Sequence, residues 1–88
     1  MSDGDCILVC VRRAEEYVRR VLSRERPAWI SKRRLRDIVF STLIELEKYE
    51  KGVYNHAMKV LYEHLRRLFH ILEENDNSLI IIGEADGE

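Results

Sequence analysis

Basic side chains are concentrated in one segment of the chain. Residues 12–36 contain ten arginines and lysines but only three acidic residues, although the 88-residue chain has a formal net charge of -1. A guanidinium group binds phosphate through two parallel hydrogen bonds, and each such contact releases counterions from a polyanion. The segment therefore predicts a phosphate-binding surface, for which nucleic acid is the obvious polyanion. The alternative, of equal standing, is an ion-paired surface suited to high temperature.

The predicted phosphate-binding residues come from both sides of a proline. They are Arg12, Arg13, Arg19, Arg20, Arg24, Arg26, Lys32, Arg33, Arg34 and Arg36. Trp29 lies between the two groups and could stack on a base or a ribose. A lone tryptophan beside Pro27 is more often an anchor of the core at a helix junction, and we favour that interpretation.

The other residues capable of chemistry form no catalytic or metal-binding pattern. Cys6 and Cys10 lack the further ligands that structural zinc needs, and we expect both to be buried thiols. His56 and His70 face outward, whereas His64 lies at the edge of an apolar face and is expected to be a hydrogen-bonded core histidine. No serine, histidine and aspartate arrangement indicates an activated nucleophile, and the four glycines are too scattered for a phosphate-cradling loop. The sequence predicts a non-catalytic protein with no metal, no cofactor and no small-molecule substrate.

The first group of arginines lies on a predicted amphipathic helix. At about 100° per residue, residues 6–23 place their apolar side chains in one arc and their arginines in the opposite one. Two glutamates stand four residues before two of these arginines, which is the spacing of helical ion pairs. Leu8 falls on the polar side, and a short buried strand over residues 6–11 is therefore an alternative.

A second helix is predicted after Pro27, whose ring and missing N–H interrupt a helical ladder. Ser31 is a good N-cap, and the apolar stripe that follows predicts a helix over residues 32–49. Phe40 and Ile44 fall on the side opposite the stripe. This helix therefore has two buried faces or breaks near Phe40.

The third helix is expected at the centre of the fold. From residue 53 to residue 74, apolar side chains alternate spacings of four and three, which is the seam of a coiled-coil-like helix. The members of the seam are Tyr54, Met58, Leu61, Leu65, Leu68 and Leu72. Its apolar arc is wider than one neighbouring helix covers, so the helix forms either the centre of the domain or a dimer seam.

One strand is predicted near the end of the chain, after a polar turn over residues 75–77. Residues 78–82 are a short apolar run of the kind that forms a buried strand. Since a strand needs a partner, three partners remain open: residues 28–31, residues 6–11, or the same strand of a second subunit.

The order of these elements over residues 12–82 resembles a winged helix-turn-helix domain. In that likeness residues 28–31 are a short extended piece, residues 31–39 are the second helix, residues 55–72 are the recognition helix and residues 79–82 are the returning strand of the wing. Such domains bind DNA with the third helix in the major groove and the wing against the backbone. The resemblance implies that polar residues of the third helix face bases or phosphates. These are Asn55, His56, Lys59, Arg66 and Arg67.

The predicted fold class is mainly α: a winged-helix-like, three-helix domain with a short C-terminal β-strand. The length predicts a single domain over residues 1–88, with short acidic tails at 1–5 and 84–88. No stretch is long and apolar enough to cross a bilayer, and the acidic start lacks the basic region of a secretory signal, so a cytoplasmic location is expected. A core this small barely offsets chain entropy, which predicts a homodimer or a place in a complex.

Two functions of different class are compatible with these observations. The first is a small nucleic-acid-binding protein, with DNA the preferred ligand, that acts as a transcription or chromatin factor and holds phosphates through its arginine-rich face. The alternative is a non-catalytic interaction or accessory subunit of a larger complex. Neither contacts a membrane. The expected protein interface consists of Phe40, Ile44, Tyr54, Met58, Leu61 and Leu65.

Overall fold

Three helices and a three-stranded antiparallel sheet account for most of the chain. The structure is a computed structural model that describes residues 2–85. In chain order its elements are α1 (Asp3–Leu22), β1 (Ala28–Ser31), α2 (Lys32–Glu45), α3 (Lys51–Leu68), β2 (Phe69–Glu74) and β3 (Ser78–Glu84). The expected three helices are present, but three strands replace the single strand that we predicted.

Helix α1 begins where Ser2 accepts the backbone N–H of Asp5 on its hydroxyl oxygen, at 3.2 Å. The strand considered for residues 6–11 is wrong, because these residues are helical and Leu8 is simply exposed. Cys6 and Cys10 are buried free thiols on the inner face, as predicted. Burial, assisted by the neighbouring Cys6 thiol, raises the pKa of Cys10 to about 11.

Helix α2 begins after Ser31, whose hydroxyl oxygen accepts the N–H of Arg34 at 3.1 Å. It ends at Glu45, so the prediction that it continues to residue 49 is wrong. Glu47 adopts a left-handed backbone conformation with φ of 57°, and its N–H donates to the carbonyl oxygen of Ile44 at 3.0 Å. This turn contains neither glycine nor proline, and the sequence therefore gave no signal of it.

Helix α3 ends at Leu68, and the prediction that it reaches residue 74 is also wrong. In β2 the side chains alternate: Phe69 is buried, His70 is exposed and Ile71 is half-buried. Leu72, the last member of the predicted seam, is 63% exposed. The apolar spacing of residues 69–72 fits a helix and a strand equally well, and pairing with β3 decides between them.

The sheet has the strand order β1-β3-β2, with both pairs antiparallel. Strand β1 is one of the three partners that we considered for the C-terminal strand. The turn between β2 and β3 is closed by Asn75, whose Oδ1 accepts the N–H groups of Asn77 at 2.8 Å and Ser78 at 2.9 Å. The N–H of Lys32 donates to the carbonyl oxygen of Asn77 at 2.9 Å. The hairpin tip is thus fixed beside the start of α2.

The core lies between the three helices and the inner face of the sheet. Met58, Leu61 and Leu65 are buried within it. Three of the six residues that we expected to form a protein interface are therefore unavailable to a partner, and the prediction of a dimer seam along α3 is wrong for them. Trp29 is 61% exposed on the outer face of the sheet, so its assignment as a core anchor is also wrong. In β1 it is the neighbouring Ala28 and Ile30 that point inward.

The predicted acidic tails fall partly within these elements. Asp3 and Asp5 belong to the first turn of α1, where acidic side chains favour a helix N-terminus. Glu84 belongs to β3, whereas residues 86–88 lie outside the described residues. Over residues 2–85, none of the helices combines the length and the apolar character needed to cross a membrane.

Candidate nucleic-acid interface

The arginines of α1 divide between two flanks of that helix. On one flank, the Nη1 atom of Arg13 lies 3.0 Å from Oε1 of Glu45 on α2. On the other flank, Arg19 Nε donates to Oε2 of Glu15 at 2.9 Å, and the same guanidinium contacts the carboxylate of Glu84 on β3. The ten basic residues of the segment therefore do not form a single continuous surface.

Four of the predicted phosphate contacts are occupied by carboxylates. Arg13 and Arg19 are two of them, and the other two share Glu74 on β2. Lys32 Nζ lies 2.9 Å from Glu74 Oε2, and Arg66 Nη2 lies 3.4 Å from Glu74 Oε1. The hydrogen bond from Lys32 is the main reason that the pKa of Glu74 lies below its ordinary value. A phosphate could reach these cations only by displacing the carboxylates.

Cations from α2 and α3 meet at one aromatic ring. Lys32 Nζ and Arg66 Cζ each lie 5.7 Å from the ring centroid of Tyr62, within the range of a cation–π contact. Burial raises the pKa of Tyr62, and the positive charge of Arg36 opposes that rise. The start of α2 and the last turns of α3 are therefore joined at Tyr62.

The surface around Tyr62 carries cations that are not neutralised. Among the residues that the structure describes, no carboxylate oxygen lies within 4.0 Å of a charged nitrogen of Arg33, Arg36 or Lys59. At about 100° per residue, Asn55, Lys59 and Arg66 fall within about 40° of one another on α3. We name this surface the α2–α3 face, and it consists of Lys32, Arg33, Arg36, Asn55, Lys59 and Arg66.

Two further arginines meet on the opposite flank of α2. Tyr17, Arg20, Arg34 and Ile38 line a pocket of about 280 Å³ between α1 and α2. We name it the α1–α2 pocket. It unites one arginine from each side of Pro27, as the sequence predicted for the whole basic segment.

The remaining predicted contacts stand apart from both surfaces. Arg12 and Arg24 are exposed on and after α1, and His56 and Arg67 are exposed elsewhere on α3. Arg26 lies against β3, with its Nη1 atom 3.2 Å from the point where a Cβ on Gly83 would sit. Among the described residues, no second helix joins these side chains to a common site.

The β2–β3 hairpin has the wrong charge for a phosphate contact. Residues 69–84 include no lysine and no arginine. Glu73, Glu74 and Asp76 are exposed at or near its tip, which lies beside the start of α2. The resemblance implies a wing that lies against the DNA backbone, and this hairpin would repel phosphates there.

Sequence reasoning missed three contributors to these surfaces. Tyr62 precedes Arg66 by four residues, and that spacing was the available signal of their contact. Tyr17 was interpreted only as part of the apolar arc of the first helix. Glu74 could not be placed beside Lys32, because residues 69–74 were predicted to be helical.

Apart from Leu8 on α1, the large apolar residues exposed in the described part of the chain lie in two places. Phe40 is 46% exposed and Ile44 is 49% exposed on α2, and Phe40 packs edge-on against Tyr49 with ring centroids 5.0 Å apart. Tyr54, also expected at a protein interface, is half-buried next to Tyr49. The outer face of the sheet carries the second group, which consists of Trp29, Leu72 and Ile82.

No cluster of three potential metal ligands occurs in the part of the chain that the structure describes. Comparison with models of known protein families gives no match. Neither curated proteins nor solved structures give a match.

Proposed function

We propose that this protein binds nucleic acid, with duplex DNA the preferred ligand, through its α2–α3 face. The observation that carries the proposal is the meeting of Lys32 and Arg66, both paired with Glu74, at the Tyr62 ring. Arg33 and Arg36 on α2 and Lys59 on α3 have no carboxylate partner among residues 2–85. Cations distributed over two adjacent helices can each bind a separate phosphate of a polyanion.

The element order supports a winged helix-turn-helix architecture, which is part of the proposal. A domain of that kind has a helix, a short strand, two helices and then a hairpin whose second strand pairs with the first strand. This chain has the order α1-β1-α2-α3-β2-β3 and the strand order β1-β3-β2. The segment between α2 and α3 covers only residues 46–50, which is short enough for the compact turn of that architecture.

The side chains indicate which part of the DNA each helix would contact. Helix α3 would enter the major groove, where Asn55 can pair with adenine and Arg66 with guanine or with phosphate. Arg33 and Arg36, in the first half of α2, would hold the backbone beside the groove. Glu74 of the hairpin is paired with Lys32 and Arg66, so a phosphate would reach these two cations only by displacing its carboxylate, and the complex would depend chiefly on Arg33, Arg36 and Lys59 of the two helices.

A titration of labelled duplex DNA, followed by fluorescence anisotropy at about 50 and 200 mM salt, tests the proposal. We expect binding that weakens steeply with salt. The double variant Arg36→Glu, Lys59→Glu should weaken it by more than about tenfold, because two phosphate contacts become repulsive. The control Arg12→Glu, Arg24→Glu changes the net charge equally, away from the face, and should have a smaller effect. Equal losses in the two variants would contradict the proposed face.

A second candidate function is a non-catalytic interaction subunit, and the exposure of Phe40 and Ile44 on α2, with Tyr49 of the following turn exposed beside Phe40, favours it. Exposed aromatic groups of this kind are typical anchors in protein interfaces. This candidate predicts no measurable duplex binding even at about 50 mM salt. It also predicts that Phe40→Ala would lower the mass, measured by light scattering, of any complex that the protein forms, whereas Lys59→Glu on α3 would not.

A further inference from the structure

The α1–α2 pocket lies outside the α2–α3 face. Arg34 and Ile38 line the pocket from one side of α2. Arg36 faces α3 instead, where its positive charge opposes the rise that burial causes in the pKa of Tyr54 and of Tyr62. The pocket volume of about 280 Å³ is close to the lower end of the range for small-molecule sites, roughly 300–1,000 Å³. It suits a single compact ligand.

The charges in the pocket are unbalanced. Across residues 2–85, neither Arg20 nor Arg34 has a carboxylate oxygen within 4.0 Å. Glu16 stands one helical turn before Arg20 and could pair with it, but no such pair forms. Arg13, the next arginine along this flank, is neutralised by Glu45. Two positive charges therefore line the same concave space without an ion-pair partner among the described residues, and their mutual repulsion favours an anion there.

The pocket walls are held in place before any ligand arrives. The hydroxyl oxygen of Tyr17 accepts the N–H of Ser31 at 3.3 Å. Arg34 Cζ lies 5.9 Å from the centroid of the Tyr17 ring. Ser31 in turn caps the helix that carries Arg34. A ligand would therefore lose less binding energy to the ordering of side chains than at a mobile surface.

We propose that the α1–α2 pocket binds a phosphate monoester attached to a flat organic group, which is the chemistry of a nucleotide. Arg20 and Arg34 hold the phosphate, whose charge of nearly -2 at neutral pH matches the two guanidinium groups. Ile38 and the edge of Tyr17 contact the flat part. Such a ligand has two sources, a free mononucleotide and the 5′-phosphorylated end of a strand.

Isothermal titration with AMP, adenosine and inorganic phosphate tests the site directly. We expect AMP to bind, adenosine to show no binding, and phosphate to bind more weakly than AMP because it lacks the flat group. The variant Arg20→Gln, Arg34→Gln should weaken AMP binding by about tenfold or more. Thermal unfolding should be unchanged, since both side chains are exposed. The control Arg12→Gln, Arg67→Gln, with equal charge loss outside the pocket, should bind AMP as the parent does.

Two single-stranded oligonucleotides, one with a 5′-phosphate and one with a 5′-hydroxyl, distinguish the sources. The measurement uses the background Arg36→Glu, Lys59→Glu, in which the α2–α3 face is disabled. Tighter binding of the phosphorylated strand, lost with Arg20→Gln, supports a strand end. AMP binding with no preference between the strands supports a free nucleotide. Absence of AMP binding to the parent protein, or AMP binding that survives Arg20→Gln, Arg34→Gln, would overturn the site while leaving duplex binding by the α2–α3 face intact.

Discussion

The Nε2 atom of His64 on α3 lies 2.9 Å from Oε1 of Glu15 on α1. The other carboxylate oxygen of Glu15 accepts from Arg19 at 2.9 Å, and Arg19 in turn contacts Glu84 on β3 and the face of Phe69. One half-buried carboxylate thus links α1 to α3 and, through a single arginine, to the sheet. The sequence predicts that His64 is a hydrogen-bonded histidine at the edge of the core, and the hydrogen bond between His64 and Glu15 confirms this prediction.

Acid should destabilise the protein through its paired glutamates. Burial alone would raise the pKa of Glu15, but hydrogen bonds from His64 and Arg19 outweigh it and leave the pKa below its ordinary value. The pKa of Glu74 is lowered as well, chiefly by Lys32. Carboxylates with a lowered folded-state pKa contribute stability that is complete above their ordinary value and is lost as pH falls through the lowered one.

The free energy of unfolding should therefore decline below about pH 4.5, the ordinary value for these carboxyls. The variant Glu15→Gln should be about 1 kcal/mol less stable than the parent at pH 7. Because its side chain no longer titrates, its stability should also change less between pH 5 and pH 3. Urea denaturation at a series of pH values measures both effects. Parallel curves for the two proteins would show that Glu15 contributes nothing to the acid response.

Glu47 should tolerate glycine better than any helical position does. Its φ of 57° places a side chain in the left-handed region, where a β-carbon costs about 1 kcal/mol. Glu47→Gly should therefore leave the stability unchanged or raise it by up to about 1 kcal/mol. Glu63, exposed in the middle of α3, is the matched control, since Glu63→Gly should cost about 0.5–1 kcal/mol. Thermal melts that rank these two variants in the opposite order would contradict the turn between α2 and α3.

Two leucines of the predicted seam should differ sharply in energetic importance. Leu61 is fully buried and Leu72 is 63% exposed. Leu61→Ala should cost about 3 kcal/mol, since the removed atoms leave a cavity. Leu72→Ala should change stability by less than about 0.5 kcal/mol, as for most exposed positions. If chemical denaturation gave similar losses for the two, α3 would have to continue through residue 72 as the sequence pattern predicted.

The exposed position of Trp29 can be checked by its fluorescence, because the chain has a single tryptophan. With the indole 61% exposed, acrylamide should quench the folded protein almost as strongly as the unfolded one. The emission maximum should shift little on unfolding in urea. Strong protection of the folded protein from quenching would restore the core-anchor interpretation. It would contradict a β1 in which the Trp29 side chain lies on the outer face of the sheet.

Helix α1 could be anticipated because its apolar side chains fall in one arc, and α2 because Ser31 is a good N-cap followed by an apolar stripe. The ends of α2 and α3 could not. A left-handed residue ends α2 without a glycine, and residues 69–74 have an apolar spacing that both a helix and a strand can use. Pairing with β3 makes residues 69–74 a strand. A contact between distant segments of the chain cannot be read from local periodicity.

The candidate surfaces were predictable in composition but not in arrangement. The sequence shows ten basic residues in one segment, yet it cannot show that Arg13 and Arg19 leave opposite flanks of α1 for different carboxylates. Arg20 and Arg34 meet because α1 and α2 pack side by side. Tyr62 and Glu74 both contact Lys32 and Arg66. The sequence pattern did not place Glu74 there, because it assigned residues 69–74 to a helix and not to a strand.

The proposal that α2 and α3 form a DNA-binding face is tested most directly by NMR. Amide signals of ¹⁵N-labelled protein would be followed during titration with duplex DNA at about 50 mM salt. We predict the largest shifts at residues 32–36 and at the exposed positions of α3 from Asn55 to Arg66, with little change at Trp29 and along the outer face of the sheet. Shifts confined to the sheet, or no shifts at all, would contradict it.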